Sequence, residues 1–370
     1  ERVDYIKPAP DFHPNLTFGF DEAFDIIGAE VRNVAENVGL AEVNGFNRIE
    51  ITGTDRHAFL DRMFCGNVTK RDGRVGLGYL LNHHGCVKGE ATVANLPASD
   101  RGPERIWYGS AAASEFHDMD WLTAHLNPDE DVQLRSLTND QTILVLAGPK
   151  ARTVLSECAR GDWSAAAFPW LSVRECFIGF APATVMGVSF SGELAYEIHI
   201  PNASLYAAYL ALREAGNAHG MKLFGARAVD SMRMEKGFLH WKADLITEFD
   251  PLETGLSRFV KLDKGEFIGK DALLQRQANG PGKQFVPFKI DASHAPAHAG
   301  ASLMQGEKVV GTVTSADWGH RLGMNLAYAF VDPQFARVGT ILQLDMYGEL
   351  VAAEVIAPSP YDPEFNRMRS

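Results

Sequence analysis

The chain has 370 residues, of which 46% are hydrophobic and 22% charged, as in a soluble globular protein large enough for two or three cores. Its formal net charge of −12 argues against a broad nucleic-acid surface, which needs a basic field, and no apolar run reaches the roughly 18 to 20 residues of a membrane span. The four cysteines are scattered without a Cys-x-x-Cys pair, which predicts core thiols instead of a disulfide framework or a zinc site.

The first part of the chain predicts an extended arm followed by mixed helices and strands. Residues 1–16 hold three prolines and few apolar anchors, so we expect them to form the arm. Apolar spacing predicts helices over 20–40 and 56–65, with a strand over 44–51 between them. Thr54 or Asp55 is expected to cap the second helix.

Residues 73–96 predict a hairpin whose turn is His83, His84 and Gly85. No further ligands lie at metal-binding spacing from the two histidines, so we expect exposed turn residues and no metal site. Glu90 lies in the otherwise apolar second strand. Such a residue either faces water or meets a partner or ligand.

The middle of the chain predicts a buried strand over 142–147, a helix from Lys150 and two more strands over 182–190 and 191–201. In the last of these, the strand period of two places Tyr196 on one face and Glu197 and His199 on the other. Glu197 is the second acidic residue in an apolar strand, and an edge-strand charge is the alternative explanation.

Residues 224–273 begin with a helical pattern in which apolar residues alternate with charges of both signs and which ends at Gly237. The charges suit either a solvated helix face or the wall of a polar pocket. A helix over 205–215 comes before this stretch. Beyond residue 280, five short strands separated by glycine turns predict an antiparallel barrel or sandwich: 285–290, 308–314, 325–331, 341–346 and 351–355.

The segments SMRMEKGFLHW, DPLETGL and VKLDKGEFIGKDAL resemble the folate-binding domain of dimethylglycine and sarcosine dehydrogenases. More distantly, they resemble the aminomethyltransferase (T-protein) of the glycine cleavage system. The resemblance covers about residues 18–369 and implies an α+β fold of three domains arranged as a cloverleaf around a central hole. Two interleaved α+β subdomains would occupy 17–280, after the arm over 1–16, and a C-terminal antiparallel β-barrel would occupy 281–370.

The resemblance also implies tetrahydrofolate as the cofactor and assigns site residues. Glu90 falls where the aminomethyltransferases carry a catalytic aspartate, and Glu197 falls where relatives place the glutamate that meets the pterin. T-proteins have an arginine directly before an Asp-Ser pair, whereas this chain has Val229 there, so Arg227 and Arg233 both remain candidates. The expected cofactor-binding residues are Thr92, Tyr196, Glu197, Arg227, Arg233 and Trp241.

The implied function is transfer of a methylene or methyl group from an N-methylated amine, such as dimethylglycine or sarcosine, onto tetrahydrofolate. A stand-alone demethylase of S- or O-methylated compounds and a non-catalytic folate-binding regulatory protein are the alternatives. Retention of Glu90 and Thr92 favours an enzyme. The absence of a Gly-x-Gly-x-x-Gly segment predicts no FAD site in these residues, so any FAD would belong to an upstream domain or partner flavoprotein. The opening ERVDYIKP resembles the linker of the dehydrogenases, and the expected location is the cytoplasm or the mitochondrial matrix.

Overall fold

A computed structural model describes residues 3–15, 17–43 and 45–370. The predicted arm and the first predicted strand therefore lie partly outside the described residues, at positions 1, 2, 16 and 44. The helices are α1 Phe24–Glu36, α2 Arg56–Met63, α3 Glu115–Ala124, α4 Ala151–Cys158, α5 Leu205–Asn217, α6 Ala226–Lys236, α7 Lys270–Asn279 and α8 Asn366–Arg369.

The strands fall into three sheets. The strands are β1 Gly39–Glu42, β2 Ile49–Thr52, β3 Val75–Leu81, β4 Val87–Leu96, β5 Arg105–Gly109, β6 Gln133–Ser136, β7 Gln141–Ala147, β8 Val173–Ile178, β9 Ala181–Met186, β10 Ala195–Pro201, β11 Lys222–Leu223, β12 Gln284–Ile290, β13 Ser302–Gln305, β14 Lys308–Gly319, β15 Met324–Val331, β16 Ile341–Met346 and β17 Glu349–Val355.

The order of strands within the sheets confirms the predicted α+β fold with a C-terminal barrel. The first sheet has the order β11-β1-β7-β10-β9-β8, and the second has β3-β4-β5-β2-β6. The chain leaves the first sheet after β1, builds the second, and returns at β7, so the two are interleaved in sequence. The last six strands close into an antiparallel barrel, β12-β15-β14-β13-β16-β17, which decides between the predicted barrel and sandwich.

Strand alternation positions the first two sheets against each other. On β10, Tyr196 and Ile198 pack into a core beneath α4 and α5, while Glu197 and His199 point to the opposite face, as predicted. That opposite face meets the second sheet through a second apolar cluster that includes Trp107 of β5 and Met186 of β9. The polar face of β10 is therefore enclosed between two sheets.

Several predicted boundaries were wrong for identifiable reasons. The helix predicted over 20–40 ends at Glu36, because Gly39 begins a strand that pairs with Ala147 of β7. A Cβ on Gly39 would lie 2.6 Å from the Phe224 ring, so this close approach requires glycine. Asp55 does not cap α2 with its side chain. Its carboxylate instead accepts from the backbone N–H of Asp131 at 3.0 Å.

Helix α6 carries most of its charges inward, which excludes the solvated-face alternative for its last turn. Glu235 is fully buried and accepts hydrogen bonds from the backbone N–H groups of Arg321 and Leu322, at 2.6 and 2.8 Å, and from the Arg321 guanidinium. Gly237 ends the helix with φ +81°, as the sequence predicts. Through these contacts α6 is fixed against the barrel.

Candidate functional site

A narrow cleft opens where the first and second sheets meet. Both sheets contribute to it: β10 and β9 from the first, and β4, β5 and the residues before β2 from the second. Its walls include Arg48, Thr92, Trp107, Met186, Glu197 and His199. Two of the predicted folate-binding residues, Thr92 and Glu197, are therefore brought together in one cleft although 105 positions separate them in the sequence.

Glu197 shares its strand face with His199, two residues further along β10. The imidazole Nε2 lies 3.4 Å from Glu197 Oε2, and the His199 ring lies 5.6 Å from the Trp107 ring. Burial lowers the pKa of His199, and the neighbouring Glu197 carboxylate only partly opposes this effect. His199 is therefore a neutral imidazole at pH 7.

Arg48 is a cleft residue that the sequence analysis did not identify. It directly precedes β2 and is only 3% exposed. Its Nη2 donates to the carbonyl oxygens of Thr138 and Gln141, at 3.1 and 2.8 Å. Its Nε and Nη1 have no hydrogen-bond partner although both are buried. One edge of the guanidinium is thus fixed to the backbone, while the other edge retains free donors at the cleft.

Electrostatics couple this arginine to Glu197. Burial lowers the pKa of Arg48, whereas the Glu197 carboxylate is the largest influence that raises it again. The guanidinium remains charged at neutral pH, because arginine is not deprotonated in proteins. The cleft therefore presents a cation and an anion side by side. No sequence signal distinguishes Arg48, because its position depends on carbonyls almost 100 residues away.

Glu90 lies on the same strand face as Thr92, one alternation earlier on β4 and therefore roughly 7 Å away. Its side chain keeps some accessible surface, yet it is deep enough that burial raises the pKa of its carboxyl to about 7. A hydrogen bond from the Tyr79 hydroxyl, on the paired strand β3, acts in the opposite direction. At neutral pH this carboxyl can both hold and release a proton.

Trp241 contributes to the wall at this end of the site. It is half-buried in an apolar cluster that includes Tyr79, the hydrogen-bond partner of Glu90. Tyr79 in turn lies 5.0 Å from the Phe259 ring, which keeps its hydroxyl in place. Trp241 is therefore near the Glu90 end, although it is not among the residues that line the cleft around Glu197.

Besides Trp241, three of the predicted cofactor-binding residues are not brought to this cleft. Tyr196 is buried in the core on the opposite face of β10, because the strand period turns it away from Glu197. Arg227 pairs with Asp21 at 3.0 Å in a partly exposed position. Arg233 is buried at the junction of α6 and the barrel, where its Nη1 donates to Asp244 at 2.9 Å and its Nη2 to Ser315 at 3.1 Å.

A wider depression lies between α2 and the segment around Lys264, but its cations already have partners. Arg62 pairs with Glu130 at 2.6 Å, and Lys264 Nζ donates to the carbonyl oxygens of Phe64 and Gly66, at 2.9 and 2.7 Å. This surface leaves no cationic group of those two side chains free for a ligand. The chemistry therefore concentrates at the cleft between the sheets.

The predicted turn histidines, His83 and His84, are both exposed. In the described ranges no group of three or more His, Cys, Asp or Glu side chains is arranged to hold a metal ion. Within the same ranges no helix is both long and apolar enough to cross a bilayer.

The arrangement suits a planar heterocycle that carries donors beside an acceptor. A carboxylate accepts two neighbouring N–H groups well, and a guanidinium edge donates to a carbonyl oxygen. Glu197 and Arg48 supply these complementary groups, and Glu90 supplies a group that exchanges a proton at neutral pH. The residues present therefore fit the pterin ring of a folate, with the unpaired donors of Arg48 as the structural observation that tests this fit.

Comparison with known proteins agrees with this chemistry. Residues 3–264 match the GCVT N-terminal domain, and residues 283–362 match the glycine cleavage T-protein C-terminal barrel domain. The mitochondrial dimethylglycine dehydrogenase of Homo sapiens is 30% identical over 354 residues, which cover 95% of this chain but 40% of that protein. The aminomethyltransferase of Thermoanaerobacter pseudethanolicus is 26% identical over 93% of this chain and 92% of its own length.

A solved structure shows the same fold. The glycine cleavage system aminomethyltransferase T of Bartonella henselae superposes with a TM-score of 0.82, covering 95% of this chain and 94% of its own, at 21% identity. The matched domains belong to folate-dependent one-carbon transferases, and their fold is the one that binds tetrahydrofolate. The two domain matches cover most of the chain and the resemblance extends over nearly all of it, so the chain belongs to the GCVT aminomethyltransferase family.

Proposed function

We propose that this chain accepts a one-carbon unit from an N-methylated amine, such as dimethylglycine or sarcosine, onto tetrahydrofolate. One observation carries the proposal. Two carboxylates lie near Thr92 in different environments: Glu197 lines the same cleft as Thr92, and Glu90 lies one alternation earlier on the same face of β4. Glu197 has a guanidinium cation beside it, whereas Glu90 is desolvated and has a phenol as its partner.

The two carboxylates have separate roles in this proposal. Glu197 binds and orients the ring by accepting its N–H groups. Glu90 takes up the proton released at the amine that attacks, since a base with a pKa near 7 is suited to proton transfer at neutral pH. Tetrahydrofolate, when bound, supplies the amine nitrogen that receives the one-carbon unit. The apolar wall around Tyr79 and Trp241 limits the access of water to this proton.

The source of the one-carbon unit is proposed from the relatives. The chain spans about 40% of the length of the human dimethylglycine dehydrogenase, so the dehydrogenase contains a large part that these residues do not match. We propose that a flavoprotein domain or subunit oxidises the amine and passes the resulting one-carbon unit to the cleft. The chain itself then performs the transfer to tetrahydrofolate.

Calorimetric titration with tetrahydrofolate tests the binding step. We expect saturable binding of tetrahydrofolate and none of FAD, with the affinity for tetrahydrofolate weakened in Glu197→Gln. The glutamine replaces a two-acceptor carboxylate by one acceptor and one donor, so one N–H of the ring loses its partner. Absence of binding at millimolar tetrahydrofolate would refute the proposal.

Single-turnover formation of the folate adduct from an imine donor, which is already oxidised, tests the transfer step without a flavoprotein. A non-catalytic folate-binding protein would bind tetrahydrofolate in the calorimeter and form no adduct with any donor. Adduct formation only from an S- or O-methylated donor would instead identify a stand-alone demethylase.

A further inference from the structure

The unpaired edge of Arg48 defines what the cleft can recognise. Its Nη2 is fixed by two backbone carbonyls, those of Thr138 and Gln141, so the plane of the guanidinium is fixed. The Nε and Nη1 donors lie buried on the remaining edges without a partner. A buried charged donor that lacks an acceptor is destabilising. A ligand acceptor would remove this destabilisation on binding.

The neighbouring carboxylate specifies which acceptor fits. A pterin presents along one edge a ring carbonyl, then a ring N–H, then an exocyclic amino group. Glu197 offers acceptors for the two donors, and the Arg48 edge offers donors beside it. The cleft therefore carries the complement of the whole edge, with the donors on Arg48 and the acceptors on Glu197.

The other candidate arginines do not offer such donors to the cleft. Arg233 uses Nη1 and Nη2 on Asp244 and Ser315, inside the junction of α6 and the barrel. Arg227 pairs with Asp21 near the amino end of α1. Neither lines the cleft that contains Glu197, whereas Arg48 does.

We infer that Arg48 is the residue that selects a 4-oxo pterin: its free guanidinium edge donates to the ring carbonyl next to the N–H groups that Glu197 accepts. This inference rests on the proposed function, because it assumes that the pterin occupies this cleft. It makes Arg48 a specificity residue that acts on binding, and it assigns no chemical step to it.

A matched pair of ligands tests the inference through binding alone. Tetrahydrofolate carries the carbonyl at position 4, and its 4-amino analogue, reduced aminopterin, carries an amino group there. In the complex of the analogue with the wild-type chain, the N–H donors of Arg48 would face the N–H donors of the 4-amino group. We expect the wild type to prefer tetrahydrofolate by at least 10-fold in calorimetric Kd, because a site built to hydrogen-bond one group rejects an analogue that lacks it.

Arg48→Met should reduce that preference to within about 3-fold, mainly by weakening the binding of tetrahydrofolate. Arg152→Met is the matched control, since Arg152 likewise donates to backbone carbonyls, those of Trp163 and Phe168, but does not line the cleft. This control should keep the wild-type preference. If Arg48→Met does not fold, Arg48→Lys replaces it; a lysine that reaches the two carbonyls has no second edge for the ligand, so the preference should fall in the same way.

The outcomes separate the inference from the function on which it rests. A wild-type chain that binds neither ligand refutes the proposed function and the inference together. A wild-type chain that binds tetrahydrofolate but does not prefer it over the analogue leaves the function standing and overturns the inference. The same conclusion follows if the folded Arg48 variant keeps the full preference.

Discussion

Glu90→Gln is the substitution that tests most directly whether the desolvated carboxylate serves transfer. Burial raises the pKa of Glu90 from 4.5 to about 7 in the folded chain. At 1.36 kcal/mol per pKa unit, this difference corresponds to roughly 3 kcal/mol between the protonated and ionised forms. The folded state holds a proton between pH 4.5 and 7 that the unfolded state releases. The free energy of unfolding therefore falls as pH rises through this window, and the full cost is present above pH 7.

The glutamine variant has no such proton to lose. We expect the free energy of unfolding of Glu90→Gln, relative to wild type, to increase by up to roughly 3 kcal/mol between pH 4.5 and pH 8. Urea denaturation at the two pH values measures this difference, and titrations shared by both proteins cancel in it. Glu307→Gln is the matched control, because Glu307 is exposed in the turn between β13 and β14. Its difference from wild type should be the same at both pH values.

The same substitution should affect the transfer rate in the opposite direction. Single-turnover adduct formation at saturating folate should be at least roughly 100-fold slower in Glu90→Gln, the usual contribution of a positioned general base. The wild-type rate should rise with pH through about 7 as Glu90 ionises, whereas the rate of the variant should not. Equal rates for the two proteins across this range would refute the assignment, and Asp230 would be the next carboxylate to test.

Three further predictions follow from the same geometry. Glu197→Gln should weaken tetrahydrofolate binding by roughly 1.5 to 3 kcal/mol, the contribution of a hydrogen bond to a charged group; an unchanged calorimetric Kd would contradict the pterin contact. Tyr79→Phe removes the hydrogen bond that lowers the pKa of Glu90, so the midpoint of the pH–rate profile should move above about 7, and an unmoved midpoint would show that the phenol is not its partner. Arg321→Met leaves the fully buried Glu235 without its guanidinium partner, while Glu193 keeps Arg367 and Tyr361, and should destabilise the fold by roughly 3 to 5 kcal/mol; a loss below about 1 kcal/mol in urea denaturation would argue against this network.

The sequence predicted those parts of the site that depend on local periodicity. The period of two in β10 was enough to separate Tyr196 from Glu197, and the same period on β4 places Glu90 and Thr92 on one face. The resemblance then supplied roles for the acidic residues. It also assigned Tyr196 to the folate, and here the periodicity was the better guide, since this side chain lies in the core.

Tertiary contacts decided what local patterns could not. Val38 continues a helical apolar pattern in the sequence and Gly39 was expected to end the helix, yet the close approach of Gly39 to Phe224 and its pairing with β7 make it the start of a strand. Strands β6 and β13 have only four residues each, too few for a clear alternation. Helix α7 was missed for a related reason, because its mostly polar sequence buries only Leu273 fully.

The role of charge in α6 shows the limit of sequence reasoning most clearly. The sequence pattern of α6 is the same whether its charged side chains face water, a ligand or the barrel. Only the partner of each side chain distinguishes these three environments, as for Arg227, Arg233 and Glu235. The partners are on distant segments: Asp21 before α1, Asp244 after α6, and Arg321 after β14. Because these charged side chains are paired within the protein, they are not available to contact a ligand.

The cation that lines the cleft is instead Arg48, and its placement has a physical reason. A guanidinium next to Glu197 contributes directional hydrogen bonds, and not charge alone, only if its plane is fixed. Two carbonyls, at the start of β7 and in the turn before it, fix the plane of the Arg48 guanidinium. They leave its Nε and Nη1 donors unpaired. In the proposed function, the cation thus lies beside the carboxylate that binds the ring, while Glu90 has the Tyr79 hydroxyl as its hydrogen-bond partner. A cation beside Glu90 would lower its pKa and weaken it as a base near pH 7, so the position of Arg48 beside Glu197 is compatible with both proposed roles.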